Sequence, residues 1–171
     1  TCFDSLHPPT SSFLAMRVCV VGSGAREVAI ARAIRASKKC TAVLCFGSGN
    51  NPAISEIAAA YEVGKIDSPE AVVNFCKSNQ ADMAIIGPEA PLAEGVVDAL
   101  QAAGITGIGP TKWMAQVESS KQFARDVMKS YGVGGLPQYK SFSNTDGMAE
   151  YIRDELKGEY VIKANGLMGG K

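Results

Sequence analysis

From residue 16 onward, short apolar runs alternate with longer stretches in which apolar residues recur every three or four positions. The runs read as strands and the spaced stretches as helices. Residues 17–21 (Arg-Val-Cys-Val-Val) form the first expected strand, and 26–36 a helix with Ile30 and Ile34 one turn apart on its inner face. A second strand over 42–46 ends in Gly47-Ser48-Gly49-Asn50-Asn51-Pro52, followed by a short helix over 52–59 and a strand near 60–63. Ser68-Pro69-Glu70 opens the next helix with a serine cap, a proline in the first turn and an acid near the positive end of the dipole. That helix should bury Val72, Phe75 and Cys76. The wholly apolar segment 83–86 suits a central parallel strand covered on both faces. Leu92, Val96, Val97 and Leu100 then stripe a helix closed by Gly104, and 106–108 is the last strand of the series. Strands separated by helices of this length imply right-handed crossovers, and hence an α/β fold: a Rossmann-like, doubly wound parallel sheet.

After Gly109-Pro110-Thr111 the pattern changes. Residues 112–131 read as one or two helices with Phe123, Val127 and Met128 inward, and 132–137 (Gly-Val-Gly-Gly-Leu-Pro) is the most linker-like stretch. A strand near 139–142, a helix over 145–156 and a strand at 160–163 lead into a glycine-rich loop. The expected organisation is a leader over 1–15, a Rossmann-like domain over 16–109, linker helices over 110–137 and the start of a second domain over 138–171. A glycine-rich loop after a strand normally leads back into structure, so the chain reads as the front part of a longer protein. The leader has two prolines and no periodicity, and Met16 looks like the natural start.

Composition narrows the chemistry. At 171 residues, 46% hydrophobic and 20% charged, the chain can bury a core as one domain or as one domain plus the start of another. Seventeen basic residues balance seventeen acidic ones, which points away from nucleic acid and from an electrostatic membrane contact. No apolar run approaches the roughly 20 residues that span a bilayer. The expected location is cytoplasmic, or plastid if 1–15 is the remnant of a transit peptide. The five cysteines (Cys2, Cys19, Cys40, Cys45 and Cys76) are odd in number and contain no C-x-x-C, which argues for reduced thiols. The single histidine, His7, lies in the leader, so Ser-His-Asp and Cys-His chemistry have no candidate in the folded part. Carboxylates, lysines, arginines, backbone amides or a bound ion remain.

Two regions carry candidate chemistry. Gly22-Ser23-Gly24 follows a strand and opens a helix, which puts bare N–H groups beside the carboxyl end of a strand, a place suited to phosphate. An ordinary turn between strand and helix is the alternative. A dinucleotide fingerprint would need glycine at position 27 and an acid near the end of the second strand; Glu27 occupies that position and 42–49 contains no acid. NAD is therefore disfavoured, and Arg26-Glu27 point to a smaller phosphorylated ligand. The stiff loop Gly87-Pro88-Glu89-Ala90-Pro91 would present Glu89 beside the first loop if the first and fourth strands are neighbours; otherwise Glu89 only caps the next helix. The expected substrate set is Gly22, Gly24, Arg26, Glu27, Gly87, Pro88 and Glu89. Farther on, Lys121 starts a helix, and Lys163 ends Val161-Ile162-Lys163, with its ammonium aimed at the strand's end. Gly169, Gly170 and Lys171 lie in a loop able to fold over a polyphosphate, though the spacing is not that of a Walker A motif. The alternative for either Lys121 or Lys163 is a solvated surface group.

Residues 20–27, 86–92, 109–111, 118–123 and 161–167 occur in an order that resembles the phosphoribosylamine–glycine ligase family over 16–171. The resemblance implies an ATP-grasp ligase of de novo purine synthesis. Such an enzyme joins glycine to 5-phosphoribosylamine, with ATP becoming ADP and phosphate through glycyl phosphate. It further implies that a pre-ATP-grasp Rossmann-like domain helps bind the sugar phosphate, that Lys121 and Lys163 contact ATP, and that 166–171 begins the mobile loop over the phosphates. Mg²⁺ carboxylates and the catalytic groups are expected beyond Lys171, so the chain alone should be inactive. The sequence departs from the family pattern at Val28, where His is usual, at Ala25 for Gly, at Ser48 for Pro and at Met168-Gly169 for Ala-Ala. Two other functions stay open: a non-catalytic phospho-ligand module, favoured by Val28, and an NAD(P)-dependent oxidoreductase, opposed by Glu27.

Overall fold

The computed structural model describes residues 15–157 and 159–168. Residues 1–14 of the expected leader lie outside the described residues, as do Gly169, Gly170 and Lys171. The described chain divides into two compact units, one ending at Lys112 and one beginning at Trp113.

In the first unit the apolar runs become β1 (Met16–Val21), β2 (Cys40–Gly47), β3 (Ala60–Val63), β4 (Met83–Ile86) and β5 (Thr106–Ile108). All pairings are parallel, in the order β3-β2-β1-β4-β5. β1 and β2 are apolar on both faces because both are covered: Val18 to Val21 and Val43 to Phe46 are buried. On one face Val20, Val43 and Cys45 pack with Ala31 of α1 (Ala25–Ala36) and Ile54 of α2 (Pro52–Ser55). Strand residues alternate sides, so Phe46 points to the other face, where its ring meets Phe75 of α3 (Pro69–Ser78) at 5.3 Å. Ser68 caps α3 as its sequence indicates, accepting the Ala71 N–H at 3.3 Å.

The helix expected over 92–100 is two helices, α4 (Glu89–Glu94) and α5 (Val96–Ala102). Gly95 separates them at φ 87°, a left-handed conformation that an α-helix cannot carry through. α2 is shorter than expected because the Ala59 N–H bonds the Val43 carbonyl of β2, which turns the chain into β3.

The second unit holds α6 (Lys112–Ser119) from Trp113 on, α7 (Lys121–Ser130) and α8 (Met148–Asp154). α7 turns Phe123, Val127 and Met128 to a half-buried face. The strands expected at 139–142 and 160–163 are absent, and Val161 and Ile162 are 78% and 63% exposed. A strand exists through the ladder it makes with a neighbour, and among the described residues nothing pairs with either segment. Lys163 therefore ends no strand and is itself exposed.

Candidate functional site

The order in which strands are added reverses at β1: β2 and β3 lie to one side of it, β4 and β5 to the other. The loops following β1 and β4 consequently emerge side by side at the carboxyl edge, the position at which open α/β sheets bind ligands. The Gly22 N–H closes the sheet edge onto the Phe46 carbonyl at 2.9 Å. Its φ of 118° suits glycine, and a Cβ there would lie 2.9 Å from Pro88 Cδ. The two loops touch.

Glu27 organises this junction. It is 4% exposed and is the one buried polar or charged side chain among the described residues. Its Oε2 accepts the N–H of Gly24, the N-cap of α1, at 2.7 Å. This is the returning half of a capping box, with glycine unable to supply the other half. Its Oε1 accepts Arg26 Nε at 3.0 Å, and its stem fills the space left beside Gly22 and Gly87. Gly22, Gly24, Glu27, Gly87 and Pro88 are thus brought together. Arg26 reaches outward with its side chain 61% exposed, its terminal guanidinium nitrogens having no partner among the described residues. Glu89 is the first residue of α4, half-buried, and its carboxylate also has no partner among them. An acid in the first turn suits the helix dipole, and α4 has no side-chain cap.

The Gly24 amide is engaged by Glu27, so the donors left at the start of α1 are the N–H groups of Ala25, Arg26 and Glu27. Val28 packs, partly buried, against the Val20–Ala31–Val43 cluster.

A third loop, 47–52, read from the sequence only as a turn, joins the first. Asn51 Nδ2 donates to the Ser23 carbonyl at 2.8 Å while its Oδ1 caps α2 through the Ala53 N–H at 3.1 Å. Ser23 and Ser48 hydroxyls lie 3.3 Å apart, and the Tyr61 hydroxyl donates to the Gly49 carbonyl. The Asn-Pro pair of a helix start was the available signal; its contact with Ser23 was not, since 28 residues separate them. Beneath the junction the Cys45 thiol donates to the Gly22 carbonyl at 3.4 Å, and burial pushes it up to about 12. Burial likewise raises Tyr61.

In the second unit Ser120 caps α7 through the Phe123 N–H at 3.2 Å. Lys121 Nζ donates to the Gly166 carbonyl at 2.7 Å, and Asn165 Oδ1 accepts the Gln122 N–H at 3.3 Å. A cavity of about 850 Å³ has Lys121, Arg125, Lys140, Tyr151 and Lys163 in its lining. Lys140 Nζ lies 4.4 Å from the Tyr151 ring and 5.0 Å from Phe142, an attraction of ammonium for aromatic faces. Arg125 sits 5.5 Å over Tyr139, whose hydroxyl donates to Asp126 at 2.6 Å; that bond holds the phenol above its usual range. Lys121 and Lys163 therefore share one cavity, but Lys121 is tied to a carbonyl. Arg125 and Lys140 were missed, although Arg125 falls one turn beyond Lys121 on α7.

Among the described residues no three His, Cys, Asp or Glu side chains converge to hold a metal ion, and no helix is long and apolar enough to cross a membrane.

Comparison with known proteins gives these loops a context. The family model for the N domain of phosphoribosylglycinamide synthetase matches residues 16–118, and that for its ATP-grasp (A) domain matches 119–171. The phosphoribosylamine–glycine ligase of Methanococcoides burtonii is 42% identical over 156 residues, covering 91% of this chain and 36% of that protein. The corresponding ligase of Methanobrevibacter smithii is 41% identical over 156 residues, 91% of this chain and 35% of the relative. The chain thus spans little more than a third of the length of these relatives. Solved structures share the fold at low identity. Rhizobium etli pyruvate carboxylase has a TM-score of 0.69 at 20% identity, covering 91% of this chain and 15% of its own. N5-carboxyaminoimidazole ribonucleotide synthetase from Thermotoga maritima has a TM-score of 0.62 at 14% identity, covering 81% and 36%. With one family model covering its first unit and a second running on to its last residue, the chain belongs to the phosphoribosylglycinamide synthetase family.

Proposed function

We propose that this chain supplies the phosphosugar-binding part, and a portion of the nucleotide-binding part, of an ATP-dependent ligase. The reaction joins glycine to 5-phosphoribosylamine, giving glycinamide ribonucleotide, ADP and phosphate through glycyl phosphate. The observation that carries this reading is the contact of two stiff loops at the sheet's reversal point, with the Arg26 guanidinium and the first α1 amides open beside it. Those donors match a phosphate monoester in charge and geometry. Glu89, whose carboxylate has no partner among the described residues, can accept from a sugar hydroxyl or amine.

For ATP, the cavity of about 850 Å³ fits in size and in charge, with Lys121, Arg125, Lys140 and Lys163 around it. These cations would neutralise phosphate oxygens and hold the nucleotide in line, which is most of what phosphoryl transfer asks of a protein. ATP and Mg²⁺, when bound, supply the activated phosphoryl group. The described residues offer no carboxylate set for the ion, and we assign none. The domain division 16–109, 110–137 and 138–171 remains our assignment.

Calorimetric titration of the chain with ribose 5-phosphate and with ribose tests the first site; saturable binding of the phosphate ester alone is expected. Thermal shift with ATP and with NADH tests the second. Protection by NADH but not by ATP would favour an oxidoreductase. The 171-residue chain should give no turnover, and turnover would overturn the placement of the catalytic groups outside it.

A further inference from the structure

A buried carboxylate beside a phosphate site is an electrostatic liability unless something compensates it. Glu27 is compensated on both oxygens, by the Gly24 N–H at 2.7 Å and by Arg26 Nε at 3.0 Å, and it lies in the positive first turn of α1. With its side chain 5% exposed, neither oxygen is presented to a ligand.

We infer, on the basis of the phosphosugar reading above, that Glu27 is a positioning residue: it fixes the Gly24 amide and holds the Arg26 side chain so that its terminal N–H groups meet the substrate's phosphate. The Gly24 amide is then outside the anion cradle. The phosphate is bound by the Arg26 guanidinium and by the amides that follow Gly24. Because the stem of Glu27 also rests against Gly22 and Gly87, the same residue holds the two loops at their working distance.

Glu27→Gln separates these roles. A glutamine oxygen can still accept the Gly24 N–H and its stem still fills the junction, but its amide nitrogen cannot accept from Arg26 Nε. In the unsubstituted chain, NMR should show slow exchange at both the Gly24 amide and Arg26 Nε–H. In Glu27→Gln the Gly24 amide should stay protected while Arg26 Nε–H exchanges about tenfold faster. The Kd for ribose 5-phosphate should rise about tenfold, with the thermal response to ATP unchanged. Adding Glu27→Gln to Arg26→Ala should weaken ribose 5-phosphate no further, since the effect runs through the missing guanidinium.

Additive losses in the double variant would overturn the positioning role, as would an ATP response that falls in parallel. Fast exchange at Gly24 and Arg26 in the unsubstituted chain would overturn the hydrogen-bonding role of Glu27 itself. Slow exchange there without ribose 5-phosphate binding would instead sink the phosphosugar reading, and with it the role of Arg26 as ligand.

Discussion

Gly87 lies directly against the Glu27 side chain: a Cβ at position 87 would fall 2.6 Å from Glu27 Cδ and 2.7 Å from Cγ. Sixty residues separate the two in sequence, yet hydrogen has to stand where any other residue carries carbon. The contact exists because β1 and β4 are adjacent, so the turns that follow them share one space.

Gly87→Ala should therefore force Glu27 out of its two hydrogen bonds or push the loops apart. Overpacking of this kind costs about 2 kcal/mol. In a chain of this size that lowers Tm by about 4–8 °C. Gly49→Ala is the control, since a Cβ there meets nothing within 4 Å, and it should stay within about 0.5 kcal/mol of the parent. Equal Tm values for the two variants would show that the junction yields freely.

Gly95 tests the break between α4 and α5. Its φ is 87°, and a Cβ there would meet Lys112 Cδ only at 3.4 Å, so the cost of Gly95→Ala is conformational rather than steric. About 1 kcal/mol is expected in urea unfolding, and less for Gly95→Asn, because asparagine tolerates the left-handed region. A smaller loss for alanine than for asparagine would contradict the assignment.

Lys121 holds the turn at Gly166 through one charge-assisted hydrogen bond of 2.7 Å. Lys121→Met keeps the stem and removes the donor. Amide exchange at 165–167 should quicken about fivefold, the equivalent of about 1 kcal/mol, with the sheet of the first unit unaffected. Unchanged exchange there would mean that the bond contributes nothing to the order of this turn.

Cys45 predicts a loss of stability in alkali. Burial raises its folded value from 9.0 to about 12, with the Tyr61 hydroxyl opposing and Glu27 adding to the rise. Between those limits the unfolded thiol releases its proton while the folded one keeps it, so rising pH favours unfolding. The contribution is complete below pH 9 and is lost as pH climbs toward 12. Cys45→Ser, whose hydroxyl does not titrate in this window, should make the decline in Tm shallower between those values. An identical slope would mean that Cys45 titrates as it does unfolded.

The strands that pack the core were readable because each is a local apolar run bounded by turn residues; 60–63 and 83–86 match β3 and β4 residue for residue. The cap at Ser68 was readable for the same reason, since its partner amide lies three residues away. Glu27 was readable only in part. Its spacing from Gly24 is that of a capping residue, but the absence of a side chain at Gly24 hid the pattern.

Relations that depend on strand order lay beyond the sequence. The meeting of Gly22 with Pro88, and of Ser23 with Asn51, follows from the placement of β1 between β2 and β4, a choice made by pairing energies across tens of residues. The segment at 160–163 shows the same limit from the other side: β-branched residues favour an extended backbone, but a strand needs a neighbour's hydrogen bonds, and none is present among the described residues. Local periodicity determined which segments of this protein are helix and strand in its first unit. Only the tertiary structure decided which side chains stay open at the sheet edge and which hold the others in place, because burial and long-range contact consume hydrogen-bonding groups that the sequence alone leaves free.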